Sequence, residues 1–330
     1  MESYRLWRTD DGRCELVPLR DTEGGKRLIK APLMGSIVPL VTPFDGSGEI
    51  DLAALCRLID WQIENGSHGI SVTGTTGEPS ALSLDEREKV MAVACERIAG
   101  RVPFVPATGT NNLDDTVRLT KSAAALGAAA ALIIVPYYNR PSQEGLYRYF
   151  RTIAMSVEVP IIIYNIPGRT AINMLPGTMA RLRRECPSVI GVKESNKDFE
   201  HVSLVLHECG RDFLVFSGIE LLCYPMLAIG GVGHVSATAN VLPKEVAALF
   251  DLHADGRQAE ALDLHYRLLP LNEALFLETN PGPLKWLMGR IGLIKPIYRL
   301  PLCEPSAGVQ QRLEDMFNHY DFSVATGGTK

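Results

Sequence analysis

From Gly35 onward the chain alternates between short apolar runs and longer stretches in which apolar residues recur every three or four positions. The short runs span 37–42, 69–73, 103–108, 131–136, 160–166, 189–193, 213–217 and 233–237. They are rich in β-branched residues, bounded by Gly, Pro and polar residues, and lack the alternation of a half-solvated strand. That pattern predicts strands buried on both faces. The stretches 52–59, 85–98, 113–126, 143–156, 175–185, 199–209 and 220–227 have helical period. The second opens on Ser83-Leu84-Asp85-Glu86, which has capping-box spacing. Eight strand–helix units imply a parallel sheet covered by helices, and that number favours closure into a (β/α)8 TIM barrel over a doubly wound open sheet. After the eighth run the pattern turns all-helical (243–254, 258–276, 283–291, 309–318), predicting a C-terminal helical extension over 241–330 beside a barrel over 35–240. Residues 1–34 are polar and lack helical period; Tyr4-Arg5-Leu6-Trp7-Arg8 and Cys14-Glu15-Leu16-Val17 flank Asp10-Asp11-Gly12, which reads as a hairpin or equally as a loose tail. This extension is expected to take no part in the chemistry.

Composition narrows the class. At 330 residues, 46% hydrophobic and 22% charged, the chain has the make-up of an ordinary soluble globular protein with room for a large core. A formal net charge of −5 argues against a nucleic-acid partner, and no basic run suggests a membrane surface. Seven scattered cysteines without a C-x-x-C pair read as reduced thiols, and no apolar run has the length of a membrane span. The expected location is cytoplasmic, with no membrane partner.

Barrel enzymes place their chemistry at the C-terminal ends of the strands. Lys193 ends the sixth run, Val189-Ile190-Gly191-Val192-Lys193. Of the chain's ten lysines it alone stands at the tip of a core strand; the other nine fall in polar loops, tails or helix-like stretches. Desolvation there can lower an ammonium pKa and free the amine for nucleophilic attack; the competing reading is a lysine leaning into solvent or pairing with Glu194. Gly74-Thr75-Thr76-Gly77, after the second run, offers hydroxyls and amides for a small carboxylate, or is a plain turn. Tyr164 is in phase to point into the barrel mouth, as a proton carrier or as a core aromatic. Tyr137-Tyr138-Asn139-Arg140 is an exposed loop tip able to line a site or meet another subunit, and Arg169 could clamp a carboxylate or be a solvated surface arginine. The eighth run adds Val235 at its end. The seven histidines lack metal-site spacing, with His201 and His207 expected in solvent on one polar helix; neither a P-loop nor G-x-G-x-x-G is present. No metal or dinucleotide cofactor is expected.

Taken together, Gly35-Ser36-Ile37-Val38 with Thr42-Pro43-Phe44, Gly74-Thr75-Thr76-Gly77-Glu78, Pro136-Tyr137-Tyr138-Asn139-Arg140-Pro141, Tyr164-Asn165-Ile166-Pro167-Gly168-Arg169-Thr170, Gly191-Val192-Lys193-Glu194 and Ser236-Ala237-Thr238-Ala239-Asn240 closely resemble the dihydrodipicolinate synthase / N-acetylneuraminate lyase family. These are pyruvate-dependent class I aldolases on (β/α)8 barrels, and the resemblance covers roughly 35–295. It implies that Lys193 forms a Schiff base with pyruvate and needs no separate cofactor. It further implies that Tyr164 shuttles protons through Thr75 and through Tyr138 of a neighbouring subunit, in a homotetramer built from dimers. Thr76, Gly77 and Val235 would bind pyruvate. An arginine matching Arg169 marks the synthase branch, which joins pyruvate to aspartate semialdehyde on the route to lysine.

Two places depart from that branch: Glu194-Ser195-Asn196-Lys197 follows the lysine, and Gly218-Ile219-Glu220 follows the seventh run. They leave open an aldolase acting on a 2-keto-3-deoxy sugar acid or another pyruvate adduct. A non-catalytic keto-acid-binding barrel is the alternative from another class. Leu84 and Arg87 stand where lysine-inhibited relatives carry histidines, although Asn111 and Tyr137 remain. Weak or absent inhibition by lysine is expected.

Overall fold

A computed structural model describes residues 4–8, 14–18 and 33–322. Strands β1 (Tyr4–Arg8) and β2 (Cys14–Pro18) pair antiparallel, with Leu6 opposite Leu16. The hairpin expected there is thus formed, while its Asp10–Gly12 turn lies outside the described residues. Seven further strands make one parallel sheet: β3 (Gly35–Pro39), β4 (Gly69–Ser71), β5 (Ala131–Ile134), β6 (Ile161–Asn165), β7 (Val189–Glu194), β8 (Leu214–Ser217) and β9 (Gly233–Val235). Their hydrogen-bonded order is β4-β3-β9-β8-β7-β6-β5.

The gap between β4 and β5 is closed by the segment 103–108, the expected third strand. Ile70 N donates to Pro103 O (3.0 Å) and Val105 N to Ile70 O (2.8 Å) on one side. On the other, Leu132 N donates to Pro106 O (2.9 Å) and Thr108 N to Leu132 O (2.9 Å). Pro103 and Pro106 supply no N–H to the ladder, so this strand reduces to two bridges, Ile70–Phe104 and Ala107–Leu132. The result is a closed eight-stranded barrel with helices outside, the (β/α)8 architecture.

Helices fall where their period predicts. Leu84–Ile98 begins on Ser83, whose hydroxyl accepts from Glu86 N while the Glu86 carboxylate accepts from Ser83 N. The stretch 220–227 is the exception: a 3-10 turn, Glu220–Leu222, precedes the short helix Cys223–Ala228. Beyond β9, the helices Pro243–Ala254, Gln258–Ala274, Gly282–Arg290 and Ala307–Asp315 add Leu249, Leu264, Leu268, Leu284, Leu287 and Leu313 to the same apolar cluster that holds Val38, Leu55 and Val90. One continuous core therefore joins the helical region to the barrel. Among the described residues no helix is long and apolar enough to cross a membrane.

His234 on β9 is fully buried, and its Nε2 donates to Val246 O (3.0 Å) on the helix outside. Its Nδ1 has no partner among the described residues. Burial, with a smaller contribution from His68, holds the imidazole down at about 4 against an ordinary 6.5. The unfolded chain therefore takes up a proton between those values that the native chain refuses. The site's stabilisation is complete above pH 6.5 and is lost as pH falls towards 4, about 3 kcal/mol in all. Urea titrations at about pH 7.5 and pH 4.5 should show this loss, and His234→Gln should flatten it; an unchanged slope would refute the assignment.

Candidate active site

The geometry of the site starts from one irregularity in β7. Along β6, side chains alternate: Ile161 and Ile163 join the layer between barrel and helices, whereas Ile162 and Tyr164 face the barrel interior. Along β7, Val189 and Val192 both face the helices, and Ile190 faces inward. Two outward residues three positions apart break a period of two. The pairing shows how: Ile161 opposes Val189, but Ile162 opposes Gly191, so Ile190 is an inserted residue in a β-bulge. Beyond the bulge the parity is reversed. Lys193 pairs with Tyr164 and faces inward with it. Gly191 permits this arrangement, since a Cβ there would stand 2.3 Å from Leu214 O on β8.

Lys193 is only 6% exposed, and its Nζ lies 4.1 Å from the centre of the Tyr164 ring. Glu194 points the opposite way. Its carboxylate accepts from Asn165 Nδ2 (2.9 and 3.1 Å), Asn196 N (3.0 Å) and His201 (3.3 Å). Pairing of Lys193 with Glu194 is thereby excluded, as is a solvent-facing lysine. The expectation of a solvated His201 is also overturned: it is buried, because the buried Glu194 needs a donor there, while His207 is exposed as expected.

A cavity of about 340 Å³ opens over these strand ends. Thr75, Tyr164 and Arg169 line it together with Arg87, Tyr137 and Asn280. Lys193 does not itself line it; the Tyr164 ring, which does, stands next to Lys193 Nζ. Thr75 and Thr76 sit on a 3-10 turn, Thr75–Gly77, and Arg169 on the short helical turn Pro167–Thr170 that follows β6. The Gly77 carbonyl accepts from Thr42 Oγ1 (2.7 Å), and Val235 packs in the barrel interior with Ile37, Tyr164 and Phe216. Neither borders the cavity, and Thr76, which is buried, does not line it either. Tyr138 is 86% exposed and does not line its own chain's cavity.

The departures noted in the sequence also find places. Ser195 Oγ donates to Gly218 O (3.0 Å), and Asn196 Oδ1 accepts from Asp198 N (3.0 Å). Glu220 is buried and accepts from Ala237 N (2.7 Å). Burial pushes the Glu220 carboxyl up, opposed by backbone bonds and by the Lys193 charge.

Two residues escape the sequence reading. Lys285, counted among the lysines of helix-like stretches, is wholly buried. Its Nζ donates to Glu78 Oε1 (2.6 Å) and to Thr42 O (3.2 Å) and sits 4.2 Å over the Phe44 ring. Burial drives Glu78 up and Lys285 down, and each partner's charge opposes the shift in the other. Asn280 is the second, donating from Nδ2 to Thr76 Oγ1 (3.0 Å). These partners lie 207 and 204 positions apart, so no local pattern could reveal them.

Residues 32–320 match the model of the dihydrodipicolinate synthetase family. A 4-hydroxy-tetrahydrodipicolinate synthase of Thermus thermophilus is 48% identical over 287 residues, 87% of this chain and 96% of the relative. That of Pseudomonas aeruginosa is 42% identical over 270 residues, 82% and 92% respectively. Among solved structures, dihydrodipicolinate synthase from Aquifex aeolicus superposes with a TM-score of 0.85 at 41% identity, covering 87% of this chain and 97% of that one. The 4-hydroxy-tetrahydrodipicolinate synthase from Methylacidiphilum fumariolicum SolV gives 0.86 at 35% identity, covering 90% and 98%.

Gly191→Ala forces β7 from β8 and misaims Lys193, so the adduct trapped by borohydride from pyruvate should form about 100-fold more slowly. Trapping at the unmodified rate would show that the bulge does not aim the lysine.

Proposed function

Because the chain belongs to the dihydrodipicolinate synthetase family, we propose that its cavity carries out the condensation of pyruvate with aspartate semialdehyde. It is a class I aldolase-type lyase. The observation that carries the reading is the inward, buried Lys193 beside Tyr164, with its neighbour Glu194 bound elsewhere.

Lys193 Nζ attacks C2 of pyruvate, and loss of water leaves an imine on that nitrogen. The protonated imine draws electrons from the methyl group, a base removes one of its protons, and the enamine carbon adds to the aldehyde of the second substrate. Tyr164 stands over Nζ to pass protons, with Thr75 on the opposite turn as its relay. Thr76, with the amides of its turn including that of Gly77, receives the pyruvate carboxylate, and Val235 forms part of the apolar wall behind it. Arg169, exposed at the cavity rim, takes the carboxylate of the aldehyde. No separate cofactor enters these steps.

Tyr138 completes the relay from a second copy of the chain in a homotetramer. Its support is local: Tyr138 and Arg140 both hold left-handed φ values, +75° and +46°, in an exposed loop. Such strain persists where surroundings enforce it, and a neighbouring subunit would supply them. A cytoplasmic location accords with free thiols at Cys56, Cys95, Cys186, Cys209, Cys223 and Cys303.

The sugar-acid alternative loses support from the same geometry. The hydroxyl of Ser195 donates to Gly218 O and the carboxylate of Glu220 accepts from Ala237 N, so both are engaged by the backbone. A panel of aldehydes offered with pyruvate tests the proposal. Turnover of aspartate semialdehyde is expected, with a Lys193 mass increment after borohydride. Sugar-acid cleavage without semialdehyde turnover would replace the second substrate, and no increment would favour the non-catalytic barrel. Arg169→Ala should lower kcat/KM for the semialdehyde about 100-fold while leaving pyruvate trapping intact; equal loss in both would remove Arg169 from the aldehyde subsite.

Lysine at millimolar concentration should leave most activity in place. Arg87 is buried, donates to Ala107 O (3.0 Å), and has no carboxylate partner among the described residues. Burial lowers it only to about 10, so it stays cationic and repels an ammonium in that part of the cavity. Full inhibition by lysine in a steady-state assay would contradict this.

A further inference from the structure

We propose that Asn280, in the C-terminal helical region, is a positioning residue for pyruvate: it fixes the Thr76 hydroxyl so that its proton points at the substrate carboxylate. The proposal rests on the imine-forming reading above and adds to it a residue from outside the strand–loop units.

A threonine hydroxyl has one proton and two acceptor sites. Buried threonines around the barrel mouth spend that proton on the protein: Thr42 on Gly77 O, Thr73 on Ala107 O, Thr170 on Ile166 O. Thr76 differs. It is buried and accepts from Asn280 Nδ2 at 3.0 Å, yet no acceptor for its proton occurs among the described residues. A donor on one side and an uncommitted proton on the other make an oriented hydroxyl, and a carboxylate is the ligand that takes such a proton most strongly.

Asn280 is buried, and its backbone carbonyl accepts from Arg169 Nη2 (3.2 Å), while its side-chain Oδ1 has no partner among the described residues, so Thr76 is the one partner of the amide there. Five residues on, Lys285 grips Glu78 at the far end of the same turn. The segment 280–285 thus holds the Thr75–Gly77 turn from both sides and touches the arginine assigned to the other carboxylate.

The test is the pyruvate concentration that half-saturates borohydride trapping on Lys193, measured without aldehyde. Asn280→Ala leaves the hydroxyl free to rotate and should raise it about tenfold. Asn280→Asp turns the donor into an acceptor, draws the Thr76 proton away and adds a negative charge, raising it about 100-fold. In a Thr76→Val background, Asn280→Ala should add less than about twofold, because it acts through the hydroxyl. A merely structural role would reduce the trappable fraction and the melting temperature without moving the midpoint. Midpoints within about twofold of the unmodified chain for both Asn280 variants, or an undiminished effect in the Thr76→Val background, would overturn the proposal. Absence of any adduct in the unmodified chain would instead overturn the imine reading, and this inference with it.

Discussion

A single inserted residue in β7 decides which way the chemistry faces. Strand side chains alternate strictly, so a one-residue slip exchanges the inner and outer faces of everything beyond it. Without the bulge at Ile190, Val192 would enter the barrel and Lys193 would face the surrounding helices; with it, Lys193 shares the interior with Tyr164 and Glu194 turns outward. The outward Glu194 then has to be satisfied in an apolar layer, and Asn165, the Asn196 amide and His201 do so. The bulge survives because position 191 is glycine, where Leu214 O leaves no space for a side chain. One backbone device therefore separates the Lys193 amine from the carboxylate next to it in sequence.

The loops above the strands carry backbone strain that needs support from elsewhere. Thr73, Glu78, Tyr138, Arg140 and Ala171 all adopt left-handed φ in loops at this end of the barrel. Each costs of order 1–3 kcal/mol. Thr73 is steadied by its bond to Ala107 O, and Glu78 by Lys285. The buried Glu78–Lys285 pair gives weak net stability by itself, since desolvating two charges offsets most of their attraction. Its value is specificity: Lys285 meets the Glu78 carboxylate, Thr42 O and the Phe44 ring from the helical region, which fixes the turn carrying Thr75 and Thr76 in one place.

The barrel is legible in the sequence because strands buried on both faces leave unbroken apolar runs and the helices between them keep their period. The third strand is legible as a run but forms only two bridges, since prolines at 103 and 106 withhold ladder donors. The same double burial that marks the strands in the sequence conceals the bulge. In Val189-Ile190-Gly191-Val192 both faces are apolar, so a change of parity leaves no mark. Lys193 stands out by its position at a strand end. Lys285 does not, because one lysine on an amphipathic helix looks solvated unless its distant partner is known. Asn280 is hidden for the same reason, as Thr76 lies near the other end of the barrel sequence. His201 looks solvated because its helix looks polar, and its burial follows from Glu194, which the bulge turns.

The choice of second substrate comes down to how many polar groups the cavity can satisfy. Its apolar lining comes from Pro79, Leu132, Ile134, Pro301 and Leu302, with the exposed Arg169 beside it. A polyol chain brings several hydroxyls, and each one buried against such a wall without a partner costs about 1–3 kcal/mol. A four-carbon semialdehyde acid brings one carboxylate, which a single guanidinium satisfies with two parallel bonds. The residues whose types suggest a sugar, Ser195 and Glu220, are tied to Gly218 O and Ala237 N, which commits the Ser195 proton and one Glu220 oxygen to the protein. The polar groups at this barrel mouth include two guanidiniums, Arg169 and Arg87, beside the Thr75 hydroxyl and the phenols of Tyr137 and Tyr164. That distribution favours a short acidic aldehyde over a sugar, even though the residues flanking Lys193 and following β8 depart from the synthase pattern.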